Sequence, residues 1–227
     1  TSMIKSWELK DLGLTNSIIS DYSTNEEDLR AFYNYRPELD GILESIKNRT
    51  THSHQPDRSA LVSVLKKQFA KVNDGSFDTD KSTQNIESLT DENVFTITTG
   101  QQLHLYLGPA YFINKIFTCI KVSEEFNKSQ SEYKTIPVFW MASEDHDTEE
   151  ISSVELFGEQ YKCNLTPNKI TGEQSTQQIQ ELTEALTDRL GSEAEENAFF
   201  KLCKNAYDKF NTLTEATSYI IYRLLPA

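Results

Sequence analysis

Apolar residues recur at helical spacing along most of the chain and give way to two continuous apolar runs near its middle. Residues 26–48 read as helical: Leu29, Phe32 and Tyr33 form one patch, Pro37 interrupts, and Leu39, Ile42, Leu43 and Ile46 follow at i, i+3, i+4, i+7. Asp57 is placed to cap a second helix whose stripe is Leu61, Val64, Leu65, Gln68, Phe69 and Val72. Asn73-Asp74-Gly75-Ser76 ends it, and a polar stretch from Asp78 to Gln84 leads into a short helical piece closing near Leu89.

The period then changes. Val94-Phe95-Thr96-Ile97-Thr98 is β-branched and aromatic and ends on Gly100, which predicts a short strand meeting a turn. Pro109 suits the first turn of a helix, and Ala110 to Phe126 is apolar nearly all round, so burial on several sides is expected. Ile136 to Ala142 is a second apolar run of strand length. Strand, helix and strand in this order make a βαβ unit, and continuous rather than alternating apolar runs favour a parallel sheet covered on both faces.

Ile151–Leu156 and Tyr161–Leu165 flank Gly158-Glu159-Gln160 as a hairpin would. Beyond Pro167 the pattern is helical to the end. Its stripes are Ile179, Leu182, Leu186 and Leu190, then Phe199, Leu202, Cys203, Ala206 and Phe210, then Leu213, Ala216, Ile220 and Leu224. The fold class read from this order is α/β. Two obvious strands are too few to close a doubly wound core.

Composition narrows the function classes. The 227 residues carry 22 Lys plus Arg against 35 Asp plus Glu, a net charge of −13, which disfavours nucleic acid and anionic membrane surfaces as partners. No run approaches ~18 apolar residues, so no membrane span is expected, and no apolar leader region is visible at the start. Cys119, Cys163 and Cys203 are odd in number with no CxxC pair, which reads as three reduced thiols in a cytoplasmic protein.

Two strand ends carry the candidate chemistry, because ligands of open α/β sheets bind beyond the carboxyl ends of the strands. The first is Thr98-Thr99-Gly100-Gln101-Gln102, leading to Gly108-Pro109-Ala110-Tyr111 and Lys115. Glycines allow close backbone approach, and a helix N-terminus offers free N–H groups to an anion; an ordinary βα turn explains the residues equally well. The second is Ser143-Glu144-Asp145-His146-Asp147, followed by Glu149 and Glu150. Clustered acids beside a His bind a metal, shift one another's protonation, or hold an amine, whereas charge runs elsewhere usually form a solvated loop. His52-Ser53-His54 reads as an incidental pair rather than a metal site.

At these two motifs the chain resembles the bacillithiol biosynthesis cysteine-adding enzyme family. The resemblance rests on Thr98-Thr99-Gly100-Gln101-Gln102, Leu105 to Tyr111 with Lys115, and Ile136 to Asp147, and is strongest over residues 85–156. Two positions depart from the family pattern: His104 stands in place of a small residue, so no role is carried over to it, and Thr148 in place of an aromatic. The resemblance implies a Rossmann-like, nucleotidyltransferase-type parallel sheet over residues 1–166, with N-terminal helices and an inserted hairpin. A helical connecting segment over 167–227, incomplete relative to the family, would follow. It also implies a coiled coil that mediates a homodimer, in a chain considerably longer than this one.

The activity so implied joins the carboxyl of L-cysteine to the amine of glucosaminyl-malate, with ATP or another nucleotide activating the carboxylate and no metal called for. On that reading Thr99, Gly100, Gln101, Gln102, Gly108, Pro109, Tyr111, Lys115 and Ser143 bind nucleotide and substrate. Glu144, Asp145 and Asp147 hold an ammonium group, and His146 takes the proton that the attacking amine loses. Two other readings stand beside it: an inactive nucleotide-binding or assembly domain, and a metal-dependent hydrolase built on Glu144, Asp145, His146 and Asp147.

Overall fold

The two apolar runs pair side by side and in parallel, and the rest of the larger unit packs around that pair. The computed structural model describes residues 9–13, 16–24, 27–51, 56–129 and 131–225, so the His52-Ser53-His54 pair lies outside the described residues. The chain divides into two compact units, 1–55 and 56–227.

The first unit holds α1 (Ser17–Thr24), α2 (Leu39–Thr50) and two short 3₁₀ turns, Leu9–Leu12 and Glu27–Phe32. The helix expected over 26–48 is therefore broken. Pro37 disfavours helical backbone at the residue before it, so α2 begins only at Leu39, and Phe32 is exposed rather than part of an apolar face. Arg36 lies over the rings of Tyr22 and Tyr33, at 4.9 and 5.8 Å, and donates to the Tyr22 carbonyl at 2.6 Å.

In the second unit α3 (Arg58–Val72) starts where the Asp57 carboxylate accepts the Ala60 N–H at 2.9 Å, the expected cap. After it come α4 (Asp80–Ser88), β1 (Val94–Gln102), α5 (Tyr111–Ser129) and β2 (Lys134–Ala142). Then α6 (Thr148–Ile151) leads to the hairpin β3 (Ser153–Leu156) and β4 (Glu159–Lys162). The chain closes with α7 (Gln177–Leu190), α8 (Ser192–Glu196), α9 (Ala198–Lys209) and α10 (Leu213–Leu224). β1 and β2 run parallel in unbroken register from Val94↔Lys134 to Gln102↔Ala142, and β3 and β4 pair antiparallel as the hairpin.

β1 is longer than its sequence suggests. Gly100, Gln101 and Gln102 stay extended opposite Trp140, Met141 and Ala142, because the ladder to β2 outweighs the local turn preference of Gly. Side chains alternate along β1, so Gln101 and Gln102 serve opposite faces.

The two faces are covered unequally. On one, α5 lays Phe112 against Phe139, Cys119 against the Ile97 carbonyl and Ser123 against Thr135. On the other, Val94, Ile136 and Val138 meet Val62, Leu65, Phe69, Ile86 and Leu89 of the α3–α4 layer. That layer does not reach the ends of the strands, and Trp140 is 61% exposed. The sheet is thus closed on both faces only over its first rows. α5 also departs from expectation: Phe112, Ile116, Cys119, Ser123 and Phe126 are buried in one stripe, while Tyr111 and Phe117 are exposed. The polar face is supplied by Asn114, Lys115, Thr118, Lys121 and Glu125, which are exposed between the apolar positions.

The edges of the pair are tied off by side chains. Lys134 N–H bonds the Asn93 carbonyl, so odd-numbered residues of β2 and even-numbered residues of β1 point their peptide groups outward. At the β2 edge Asn127 mimics a neighbouring strand: its carbonyl oxygen accepts Thr135 N–H at 2.7 Å and its amide donates to Thr135 O at 2.7 Å. Pro137, next along that edge, has no N–H. At the β1 edge Arg58 donates to Val94 O at 2.9 Å and Lys115 to Gly100 O at 2.8 Å.

Residues 56–166 and 167–225 share one core, in which Leu103, Leu105, Leu107, Phe112 and Ile151 pack with Ile179, Leu182, Cys203, Tyr207, Leu213 and Ile220. The α9 stripe is Phe200, Cys203, Ala206 and Tyr207, one position round from the expected stripe, which leaves Phe199 exposed. All three cysteines are buried free thiols. Burial pushes each of them above the ordinary thiol range, Cys163 to about 11.

Replacing Asn127 with Ala leaves the N–H of buried Thr135 without a partner, while its carbonyl keeps the Ser123 hydroxyl, and is expected to destabilise the unit by about 1–3 kcal/mol. An unchanged urea midpoint contradicts the clamp. A thiol reagent should titrate three groups per chain after denaturation and react far more slowly with the native protein. Fewer than three groups under non-reducing conditions would reveal a disulfide.

Candidate functional site

At the carboxyl ends of β1 and β2 the two sequence motifs meet. Gln102, the last residue of β1, donates its side-chain amide to Asp145 Oδ2 at 2.6 Å. The other carboxylate oxygen of Asp145 accepts the Asp147 N–H at 2.9 Å. The Asp147 N–H first, then the Gln102 amide, hold the Asp145 carboxyl below its ordinary range, so it is a carboxylate at neutral pH. Asp147 in turn caps α6 by accepting the Glu150 N–H.

Gln101 points to the α5 side. Lys115 Nζ donates to Gly100 O at 2.8 Å and to Gln101 Oε1 at 3.0 Å. With its oxygen taken by the ammonium, the Gln101 amide nitrogen faces His104 Nε2 at 3.5 Å. Burial lowers the His104 pKa and favours the neutral ring, opposed by the smaller effect of the Glu150 charge. His104 is a site member that the residue pattern did not assign.

Between His104 and α5 the backbone turns through a left-handed corner. Tyr106 has φ 53° and ψ 31°, Leu107 φ 59° and Gly108 φ 54°. Gly108 cannot be replaced cheaply, since a Cβ there would lie 2.7 Å from the His104 Cβ. The corner hands the chain to the exposed stretch Gly108 to Tyr111, where α5 begins.

The acidic loop is shaped by a distant segment. Thr171 N–H bonds Asp145 O at 2.6 Å and Gly172 N–H bonds Ser143 O at 2.9 Å. A Cβ on Gly172 would meet Ser143 Cβ at 2.6 Å and crowd the Thr214 hydroxyl, which donates to Gly172 O at 2.9 Å. Gln174, with no exposed surface, braces the same segment by accepting Thr166 N–H and donating to the Thr166 and Lys169 carbonyls. Nothing in the isolated string Thr171-Gly172 marks it as part of a site; the only signal was a glycine in a polar stretch.

The structure therefore forms two bonded groups at the strand ends, Lys115 with Gly100 and Gln101 on the α5 side and Gln102 with Asp145 and Asp147 on the other, with Ser143 held by Gly172 and Gly108 set against His104. Glu144 and His146 are exposed, and the His146 ring lies near enough to Asp145 for its charge to act on that carboxylate. Thr99 sits within β1 opposite Phe139, under α5 rather than at the strand end, and Pro109 and Tyr111 form the exposed start of α5. Among the described residues no three of His, Cys, Asp and Glu converge as ligands for a metal ion, which gives no support to a hydrolase built on the acidic loop.

Gly172→Ala is expected to cost about 1–3 kcal/mol of stability and to release the Ser143–Asp145 turn, seen as faster amide exchange over residues 143–147. Parent-like exchange there would show that the loop holds its own shape.

Residues 5–227 match the model of the bacillithiol biosynthesis BshC N-terminal Rossmann-like domain. A Flavobacterium johnsoniae protein named "Putative cysteine ligase BshC" is 36% identical over 208 residues, covering 92% of this chain and 39% of that protein. Proteins of the same name from Cytophaga hutchinsonii and Bacillus cereus are 35% and 24% identical, over 95% and 96% of this chain and 38% and 41% of their own lengths. The chain spans about two-fifths of the length of these curated relatives. A parallel βαβ unit with paired glutamines at one strand end and the acidic loop at the other, matched by the family model over nearly all its length, belongs to the BshC family as its N-terminal Rossmann-like domain.

Proposed function

We propose that this chain carries the carboxyl-edge site of a ligase that joins the carboxyl of L-cysteine to the amine of glucosaminyl-malate, completing bacillithiol. The observation that carries the reading is the bonded pair Gln102–Asp145, which links the two motifs shared with the family at the place where a sheet of this kind binds ligands. Carboxylate and amine form a salt at neutral pH, so the cysteine carboxylate must be activated, and ATP supplies that activation when bound. The residues fit such an anion: Lys115 places a cation over the end of β1, and the exposed Gly108-to-Tyr111 stretch leads into the first turn of α5.

The remaining groups divide the work. Asp145, a held carboxylate, accepts an ammonium group, and Glu144 and Asp147 add negative charge beside it. Gln101, fixed between Lys115 and His104, orients the phosphates. His146, exposed beside Asp145, receives the proton that the attacking amine releases. The expected setting is a homodimer in the cytoplasm; no helix among the described residues is long and apolar enough to cross a membrane.

A second reading has its own observation. The parallel sheet has two strands among the described residues and leaves Trp140 uncovered, which suits a nucleotide-binding or assembly domain that is inactive by itself.

The chain is incubated with L-cysteine, glucosaminyl-malate and ATP, product is read by mass spectrometry, and ATP binding is read by calorimetry. Thiol product at turnover supports the ligase. ATP binding without product favours the second reading, and a chain that neither binds ATP nor forms product overturns the ligase and the nucleotide-binding form of the second reading. Where turnover is found, His146→Asn should lower it by about 10²–10⁴-fold with folding intact. A variant within a few-fold of the parent rejects the base role.

A further inference from the structure

We propose that Tyr207, on α9, is a positioning residue for the candidate site, holding the left-handed corner at Tyr106–Gly108 that sets His104 and the start of α5. The inference extends the nucleotide-site reading above and rests on it for its functional consequence, though not for the corner itself.

The corner is not what its residues prefer. Left-handed backbone costs an L-residue about 1–2 kcal/mol, and Tyr106 and Leu107 adopt it in succession. Such strain persists only where the surroundings over-determine it, and it concentrates at ligand sites. Two local bonds, Leu107 N–H to His104 O at 3.3 Å and Gly108 N–H to Leu105 O at 3.0 Å, close the turns but leave the Tyr106 N–H pointing away. That group finds its partner 101 residues further along the chain, donating to the Tyr207 hydroxyl oxygen at 2.8 Å.

The side chain of Tyr106 is gripped as well. Its hydroxyl lies 2.7 Å from Thr183 Oγ1, and the Thr183 O–H is directed to Ile179 O at 2.9 Å, so Tyr106 is the donor to Thr183. The ring stacks on Phe200 at 5.8 Å and meets Tyr207 edge-on at 5.3 Å. Tyr207 is 2% exposed. Burial, with the nearby Cys203, keeps its phenol protonated well beyond the ordinary range. Removing its oxygen strands a buried N–H at the first left-handed residue of the corner, without adding volume to the core.

The test compares three variants in the whole chain: Tyr207→Phe, Thr183→Val, which removes the other tether from a different helix, and Tyr222→Phe. The last is a control: Tyr222 is a partly buried tyrosine on α10 whose ring packs on Phe69 and Phe77, away from the corner. Amide exchange over residues 103–110 and ATP affinity are read where all variants are folded. Tyr207→Phe and Thr183→Val should each speed exchange over that stretch and weaken ATP binding by about tenfold, with Tyr222→Phe parent-like in both. Should Tyr207→Phe fail to fold, exchange of the Tyr106 N–H in the parent carries the test: strong protection supports its bond to Tyr207, and exchange as fast as that of an exposed amide overturns it. Parent-like exchange in the first two variants, or the same change in all three, overturns the proposal. If the parent itself does not bind ATP, the nucleotide reading falls, and the exchange comparison still decides whether Tyr207 holds the corner.

Discussion

The parallel register of β1 against β2 is the constraint on which the site depends. Because Val94 pairs with Lys134 and Gln102 with Ala142, both strands end at the same level. The segments leaving them emerge side by side, and Gln102 can reach Asp145 across the gap. A slip of one residue would turn Gln102 to the α5 side and Gln101 away from Lys115. The crossover helix fixes that register from one face through Phe112, Cys119 and Ser123, and the α3–α4 layer fixes it from the other through Val94 and Ile136.

The strands deliver the site residues, but the helices after residue 166 give the connecting loops their shape. The acidic loop leans on Thr171 and Gly172, which α10 holds through Thr214. The corner before α5 is clasped by α7 and α9 through Thr183, Phe200 and Tyr207. Both loops are therefore supported by one core, and disturbing its packing reaches the strand ends without touching any residue there.

Much of this was legible in the chain. The βαβ unit followed from apolar run lengths, the α3 cap from Asp57, the hairpin from Gly158, and the meeting of the two motifs from the rule that strand ends face one way. What stayed hidden depends on tertiary contact. Gly100 reads as a turn and is strand, because pairing with Trp140 decides it. α5 reads as buried all round and is buried along one stripe, because one face of a two-stranded sheet offers no second wall. Gly172 and Tyr207 carry no motif, and His104 lies inside one as a departure from the family pattern. Their importance lies in partners across a turn, beyond a hairpin and 101 residues away, separations that periodicity does not register.

The treatment of the sheet edges bears on solubility. An unguarded strand edge is a template for pairing with another copy of the same chain. Here Asn127 already occupies Thr135, and Pro137 offers no N–H, so an incoming strand meets an interrupted ladder along β2. On β1, Arg58 and Lys115 take the Val94 and Gly100 carbonyls, so that among the described residues Thr96 and Thr98 lie between two cations on this edge. That stretch is too short for a stable strand pairing, and a second copy approaching it would have to displace both cations. The same lysine that holds Gly100 and Gln101 thus also discourages edge-to-edge aggregation.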